Sequence, residues 1–211
     1  MSLLEILATA VTVACVLLAV KRSTWQYPVG IIGTILFFFV FWGAKLYASA
    51  ALQVFFTFVQ VYGWWYWTRG DRGKAPPITT FPRDILAAVI VGGVLLAFAL
   101  SAILNQFVTP KVLFWDTAIF GLSMAAQFLL DRKKIENWIV WGAVNAISVI
   151  VYSNQGLKVA AILYAALFVN VFWGYYEWAK AKRAQKIVWD AEARKYPPAP
   201  QHEPQTGDLL P

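Results

Sequence analysis

Seven long apolar runs, separated by short and mostly basic loops, leave this chain little freedom in what to fold into. A run of about 20 apolar residues crosses the hydrocarbon layer of a bilayer as a helix. Spans are placed at 2–20, 25–42, 46–67, 84–106, 113–131, 136–154 and 158–179. Alternation over segments of about ten residues, the mark of a membrane β-barrel, is missing. Only 14% of the 211 residues are charged and 60% are hydrophobic, whereas a soluble domain carries about a quarter charged. The expected fold class is an all-α integral membrane protein of seven transmembrane helices. The first run reads as a retained helix rather than a signal peptide, because Lys21-Arg22 follows it and its only early charge is Glu5.

Charge placement orients the bundle. With the N-terminus outside, the inner segments hold Lys21 and Arg22, then Arg69, Arg72, Lys74 and Arg83, then Arg132, Lys133 and Lys134. Lys180, Lys182, Arg183, Lys186, Arg194 and Lys195 follow the last span. The outer loops keep Lys45, Lys111 and Lys158, three of the 18 basic residues. That bias predicts N-out and C-in, and it accounts for the net charge of +7 without a nucleic-acid partner. Residues 68–83, with Gly70, Gly73, Pro76, Pro77 and Pro82, read as a solvated cytoplasmic loop. The basic stretch after Trp178, which contains Trp189, reads as a helix continuing into the cytoplasm, either solvated or lying on the membrane surface. From Tyr196 the tail is Pro-rich and expected to be disordered.

The sequence also repeats. A shift of 113 positions superposes Trp25 on Trp138, Gly43 on Gly156, Lys45 on Lys158, Tyr62 on Tyr175 and Trp65 on Trp178. A duplicated three-helix unit explains these matches. The expected organisation is a first repeat at 1–67, the loop at 68–83, a linker helix at 84–106, a second repeat at 113–179 and a tail at 180–211. An odd-numbered unit ends on the side opposite its start, so the linker helix returns the chain and the repeats run parallel in a 3+1+3 order. Parallel repeats of this kind occur in transporters, with the substrate site near midplane between them.

Polar residues at depth mark candidate positions for such a site. Asn145 and Asn170 fall near the middle of spans six and seven, Ser123 and Gln127 in the inner half of span five, and Gln53, Thr57 and Gln60 on span three. A buried amide is costly unless paired. Each one either ties two helices together or faces a polar pathway, and the set at similar depth favours a pathway. Trp138 and Trp141, three apart, share a helix face. Trp138 fits an interfacial belt or a pocket wall, and Trp141, a turn deeper, favours the wall. Tyr152 and Tyr164 fit an outer gate or a belt equally. Amides suit hydroxyl or carboxamide groups, and rings suit a planar, cationic heterocycle. Pro28 and Gly30 fit a hinge or a fixed kink, and Gly92-Gly93 a close helix approach. Asp116 either attracts a cation or pairs with Lys111. Mid-depth ionisable residues are lacking, which predicts a uniporter.

Several motifs resemble one family. The stretch Glu136-Asn137-Trp138 with Trp141, Val144 and Asn145, followed by Tyr152, Tyr164, Asn170 and Gly174-Tyr175-Tyr176-Glu177-Trp178, is similar to the PnuC-type nicotinamide riboside transporters of bacteria. Trp25-Gln26-Tyr27-Pro28-Val29-Gly30, Leu46-Tyr47, Leu52-Gln53-Val54-Phe55, Tyr62-Gly63-Trp64, Asp116-Thr117 and Ala126-Gln127 fit the same family. The resemblance covers about residues 20–180 and implies a SWEET-like seven-helix arrangement, often trimeric, in the bacterial inner membrane. It also implies facilitated diffusion of a vitamin that is trapped inside by phosphorylation. Relatives that carry thiamine, riboflavin or deoxynucleosides leave the substrate open. Substrate-contacting positions are expected at Gln53, Thr57, Gln60, Gln127, Trp138, Trp141, Asn145, Tyr152, Tyr164 and Asn170. No cofactor, metal or catalytic group is expected, because the only histidine, His202, lies in the tail and the only cysteine, Cys15, reads as an apolar helix residue. A membrane assembly subunit is the competing class.

Overall fold

A computed structural model describes residues 3–43, 47–70, 75–104, 110–154 and 158–195. Among them are seven helices: α1 (Leu3–Val20), α2 (Gln26–Gly43), α3 (Tyr47–Arg69), α4 (Arg83–Leu104), α5 (Pro110–Asp131), α6 (Asn137–Asn154) and α7 (Lys158–Lys195). The shortest have 18 residues, about 27 Å at 1.5 Å per residue. Among the described residues, α1 and α2 are long and apolar enough to cross a membrane on composition alone. α6 and α7 show the same preference in where their apolar side chains point. On α6, Asn137, Asn145 and Ser148 are buried while Ile139 and Ile150 are exposed; on α7, Ile162, Val169, Phe172 and Tyr176 face outward. Water would reject such a surface, and lipid suits it.

Packing follows chain order. α1, α2 and α3 pack as one triplet, α5, α6 and α7 as another, and α4 lies against α5. The triplets meet where α1 touches α7 and α3 touches α5. Gly93 on α4 and Gly121 on α5 approach so closely that a Cβ on either would sit 2.8 Å from the other's carbonyl oxygen. Gly92 faces open space.

Equivalent features of the two triplets lie 111 positions apart rather than 113. α2 and α6 match end for end at 111, and α3 and α7 begin 111 apart. α1 closes in a Schellman turn, with Arg22 N–H donating to Ala19 and Ser23 N–H to Leu18. α5 closes identically 111 residues on, with Lys133 donating to Leu130 and Lys134 to Leu129. Arg22 and Lys133 take the left-handed conformation these turns require, at φ 56° and 49°. Trp67 Nε1 donates to the Leu130 carbonyl, and Trp178 Nε1 to that of Ala19, both partners again 111 apart. Both Trp pairs of the 113 register differ in environment, Trp25 being 69% exposed and Trp138 3%, Trp65 55% and Trp178 0%, while Tyr62 and Tyr175 are both exposed. Matching Trp to Trp selected interfacial residues; the buried counterpart of Trp178 is Trp67, and that of Trp138 is Tyr27.

The expected solvated loop is also corrected over 75–82. Ile78 is buried in the core cluster with Tyr27, Trp67, Trp138 and Trp178. Thr79 forms a parallel bridge to Lys134, donating to the Lys133 carbonyl and accepting from Ile135 N–H, both at 3.1 Å. Glu136 accepts from Phe81 N–H, and Gln185 from Ile78 N–H. The prolines hold the segment extended, and an extended strap can pair with a corner where a helix cannot. The tail from residue 196, Lys45 and Arg72 lie outside the described residues, as do the side chains of Asp116 and Lys111.

Candidate functional site

Between the triplets lies a cavity of about 550 Å³, within the usual range for small-molecule sites. All six triplet helices line it. Nine of the ten positions expected from sequence reach its wall: Gln53 and Gln60 from α3, Gln127 from α5, Trp138, Trp141, Asn145 and Tyr152 from α6, and Tyr164 and Asn170 from α7. Thr57 does not. Its hydroxyl donates to the Gln53 carbonyl and shares a 2.9 Å hydrogen bond with Thr34, which itself lines the cavity. In the 111 register Thr57 corresponds to Phe168, not Asn170. Gly30 lines the wall because Gln60 crosses it: a Cβ there would lie 2.5 Å from Gln60 Nε2 and 3.1 Å from Cys15 Sγ. Pro28 sits in the first turns of α2 without interrupting it.

Rings lie toward both ends, with Tyr152 and Tyr164 on the wall at one and Trp138 at the other. At the end far from the corner turns, Tyr152 and Tyr164 lie with centroids 5.2 Å apart. At the corner end, Tyr27, Trp67, Trp178 and Trp138 form a chain, with centroid spacings of 5.4 Å, 5.8 Å and 5.9 Å. Trp138 therefore belongs to the floor and wall rather than to an exposed belt. It lies flat on Gly174, where any Cβ would overlap its ring. Gly63 leaves the matching space for Tyr27.

Four residues of this end were not among the expected contact positions, though Gln26 and Asn137 fall in the family-like motifs. Asp131, 1% exposed at the last turn of α5, accepts hydrogen bonds from Tyr27 Oη at 3.0 Å and Gln127 Nε2 at 2.9 Å. In the sequence it is one more charge at a helix end. Gln26 and Asn137, the first residues of α2 and α6, are buried on the cavity wall. Alignment on the corners instead of on Trp would have paired them. Trp67 was hidden among the aromatics of Trp64-Trp65-Tyr66-Trp67.

Charge is kept outside the cavity. Arg22 Nη1 donates to the Glu177 carbonyl at 3.0 Å and lies 4.0 Å from its carboxylate. Burial, and secondarily the Arg22 charge, lowers the Lys133 ammonium to about 8; its Nζ sits 4.5 Å from the Trp67 ring centre. Among the described residues no group of three His, Cys, Asp or Glu side chains could hold a metal. The wall is thus neutral amides, hydroxyls and rings. Such a lining can orient an uncharged polar group and stack a planar ring, and it supplies no nucleophile–base pair.

Comparison with known proteins gives a consistent picture. A family model described as nicotinamide mononucleotide transporter matches residues 2–180. The nicotinamide riboside transporter PnuC of Escherichia coli is 27% identical over 209 residues, covering 87% of each chain. The riboflavin/roseoflavin transporter RibM of Streptomyces davaonensis is 28% identical over 169 residues, covering 76% of this chain and 77% of its own. The crystal structure of a vitamin B3 transporter PnuC superposes with a TM-score of 0.67 at 20% identity, over 86% of this chain and 82% of that one. At that identity it speaks for the fold.

Proposed function

The chain belongs to the nicotinamide mononucleotide transporter family, and from that premise we propose that it imports nicotinamide riboside by facilitated diffusion. The observation that carries this reading is the neutral, amide-and-ring-lined cavity between the two helix triplets. Trp141 and its neighbours suit a cationic pyridinium ring, a contact worth about 0.5–2 kcal/mol, and Asn145 and Asn170 suit its polar substituents. Gln53, Gln60, Gln127, Trp138, Tyr152 and Tyr164 complete the contact set, with Thr57 acting through Thr34.

The triplets, with boundaries near 1–67 and 113–179, act as two parallel repeats joined by α4 in a 3+1+3 order. Pro28 and Gly30 serve as the hinge. The bundle sits in the bacterial inner membrane with the N-terminus outside and the tail from residue 180 inside, as the basic loops favour. The corner end then faces the cytoplasm. Kinase trapping downstream and a trimeric assembly complete the proposal. The RibM relative supports a second reading, riboflavin, on the same cavity, and thiamine, a ring cation like nicotinamide riboside, is a third.

Purified protein in liposomes tests the proposal. Nicotinamide riboside uptake should proceed without a proton or sodium gradient, and Trp fluorescence should titrate with it ahead of riboflavin and thiamine. A requirement for either gradient would end the uniport reading. Asn145→Leu and Asn170→Leu should abolish uptake in a folded protein; loss of assembly instead would favour a scaffold.

A further inference from the structure

The corner end of the cavity holds an unusual set of polar atoms. Gln26 is 2% exposed, Asn137 0% and Trp138 3%, and all three line the cavity. Gln26 Nε2, Asn137 Oδ1 and Trp138 Nε1 are buried, and among the described residues none has a protein partner. Asn137 and Trp138 are held through the rest of their side chains, and Gln26 through its backbone. Asn137 Nδ2 donates to the Lys134 carbonyl at 2.7 Å, which fixes its oxygen as the free end. Trp138 is pinned by Gly174 against its ring and by Trp178, which meets it edge to face at an interplanar angle of 80°. The Gln26 backbone carbonyl accepts the Cys15 thiol at 3.2 Å. A buried donor or acceptor without a partner is strongly disfavoured, so three at one end of one cavity point to a group that enters from within it.

The missing chemistry can be read from the atoms. Two are donors and one is an acceptor. A hydroxyl carries one hydrogen and two lone pairs, the complement of this set: it donates to Asn137 Oδ1 and accepts from Gln26 Nε2 and Trp138 Nε1. The pyridinium ring itself offers no such group; its carboxamide also holds a donor and an acceptor, and the deoxy analogues below separate it from a sugar hydroxyl. We propose that Gln26, Asn137 and the Trp138 indole N–H form a sugar subsite at the corner end, which takes hydroxyls of the ligand's ribosyl moiety while the heterocycle lies against the rings farther along. The two amides come from opposite triplets, at equivalent positions 111 apart, so a sugar held there ties both halves together. This rests on the transport reading above and names the part of the substrate that this end recognises.

The test compares nicotinamide riboside with its 2′- and 3′-deoxy analogues on wild type, Gln26→Met and Asn137→Leu, with binding followed by Trp fluorescence. Wild type should prefer the riboside over at least one deoxy analogue by about tenfold, the order expected for one hydrogen bond. Each variant should bind the riboside about tenfold more weakly and that analogue nearly as well as wild type does, so the preference collapses. Because the analogue reports on the same variant, retained analogue binding also shows that it is folded. If a variant weakens both ligands by the same factor, or neither, the sugar subsite is wrong. If wild type binds no riboside or analogue at all, the transport reading itself fails.

Discussion

Asp131 shows how a single residue joins the two halves. Its carboxylate takes hydrogen bonds from Tyr27 on α2 and Gln127 on α5, and its counterpart in the 111 register is Val20. The link is therefore a one-sided addition to an otherwise matched corner. Gln127 spends its N–H₂ on Asp131, which leaves its oxygen as the acceptor available to the cavity wall. Tyr27→Phe removes one donor and keeps the ring against Trp67. It should lower stability in detergent by about 1–3 kcal/mol, the range for stripping one partner from a buried polar group, as read by denaturant unfolding. An unchanged midpoint would mean that the tyrosine hydroxyl contributes nothing to holding α2 on α5.

At the scale of elements, glycines decide where rings can lie. Gly174 and Gly63 admit Trp138 and Tyr27 onto the faces of α7 and α3, and Gly93 and Gly121 let α4 touch α5. Gly174→Ala would drive a methyl into the Trp138 ring, and overpacking of this kind costs about 1–3 kcal/mol. Gly142→Ala is the control on the facing helix, since its Cβ would meet Val171 at an ordinary 3.5 Å. The expected outcome is a lowered unfolding midpoint for the first and little change for the second. The 75–82 strap belongs to the same scale. Its prolines were legible as a break in the helix pattern, but Ile78 reaching the core depends on partners on α5, α6 and α7 that no local pattern reveals.

For the whole molecule, a uniporter moving a monocation responds to voltage although it carries no coupling ion. A charge crossing a membrane gains about 2.3 kcal/mol per 100 mV, equivalent to roughly fiftyfold accumulation. Liposomes with an inside-negative potassium diffusion potential of about 100 mV should therefore accumulate nicotinamide riboside, and those with the potential collapsed should only equilibrate. Equal end points in the two preparations would exclude uniport of a cationic substrate.

Hydrophobic run length and loop charge act locally, so the helices, their number among the described residues and most of the polar positions on the cavity wall were readable along the chain. A midplane amide announces itself, because lipid leaves it few places to go. The register of the repeat was a different matter. Buried and interfacial Trp residues have the same letter, and only packing shows that Trp67, not Trp65, shares the surroundings of Trp178. Gln26, Asn137 and Asp131 likewise look like ordinary polar residues at helix ends. Their burial arises because the two corners fold in under the opposite triplet, a long-range contact decided by tertiary structure alone.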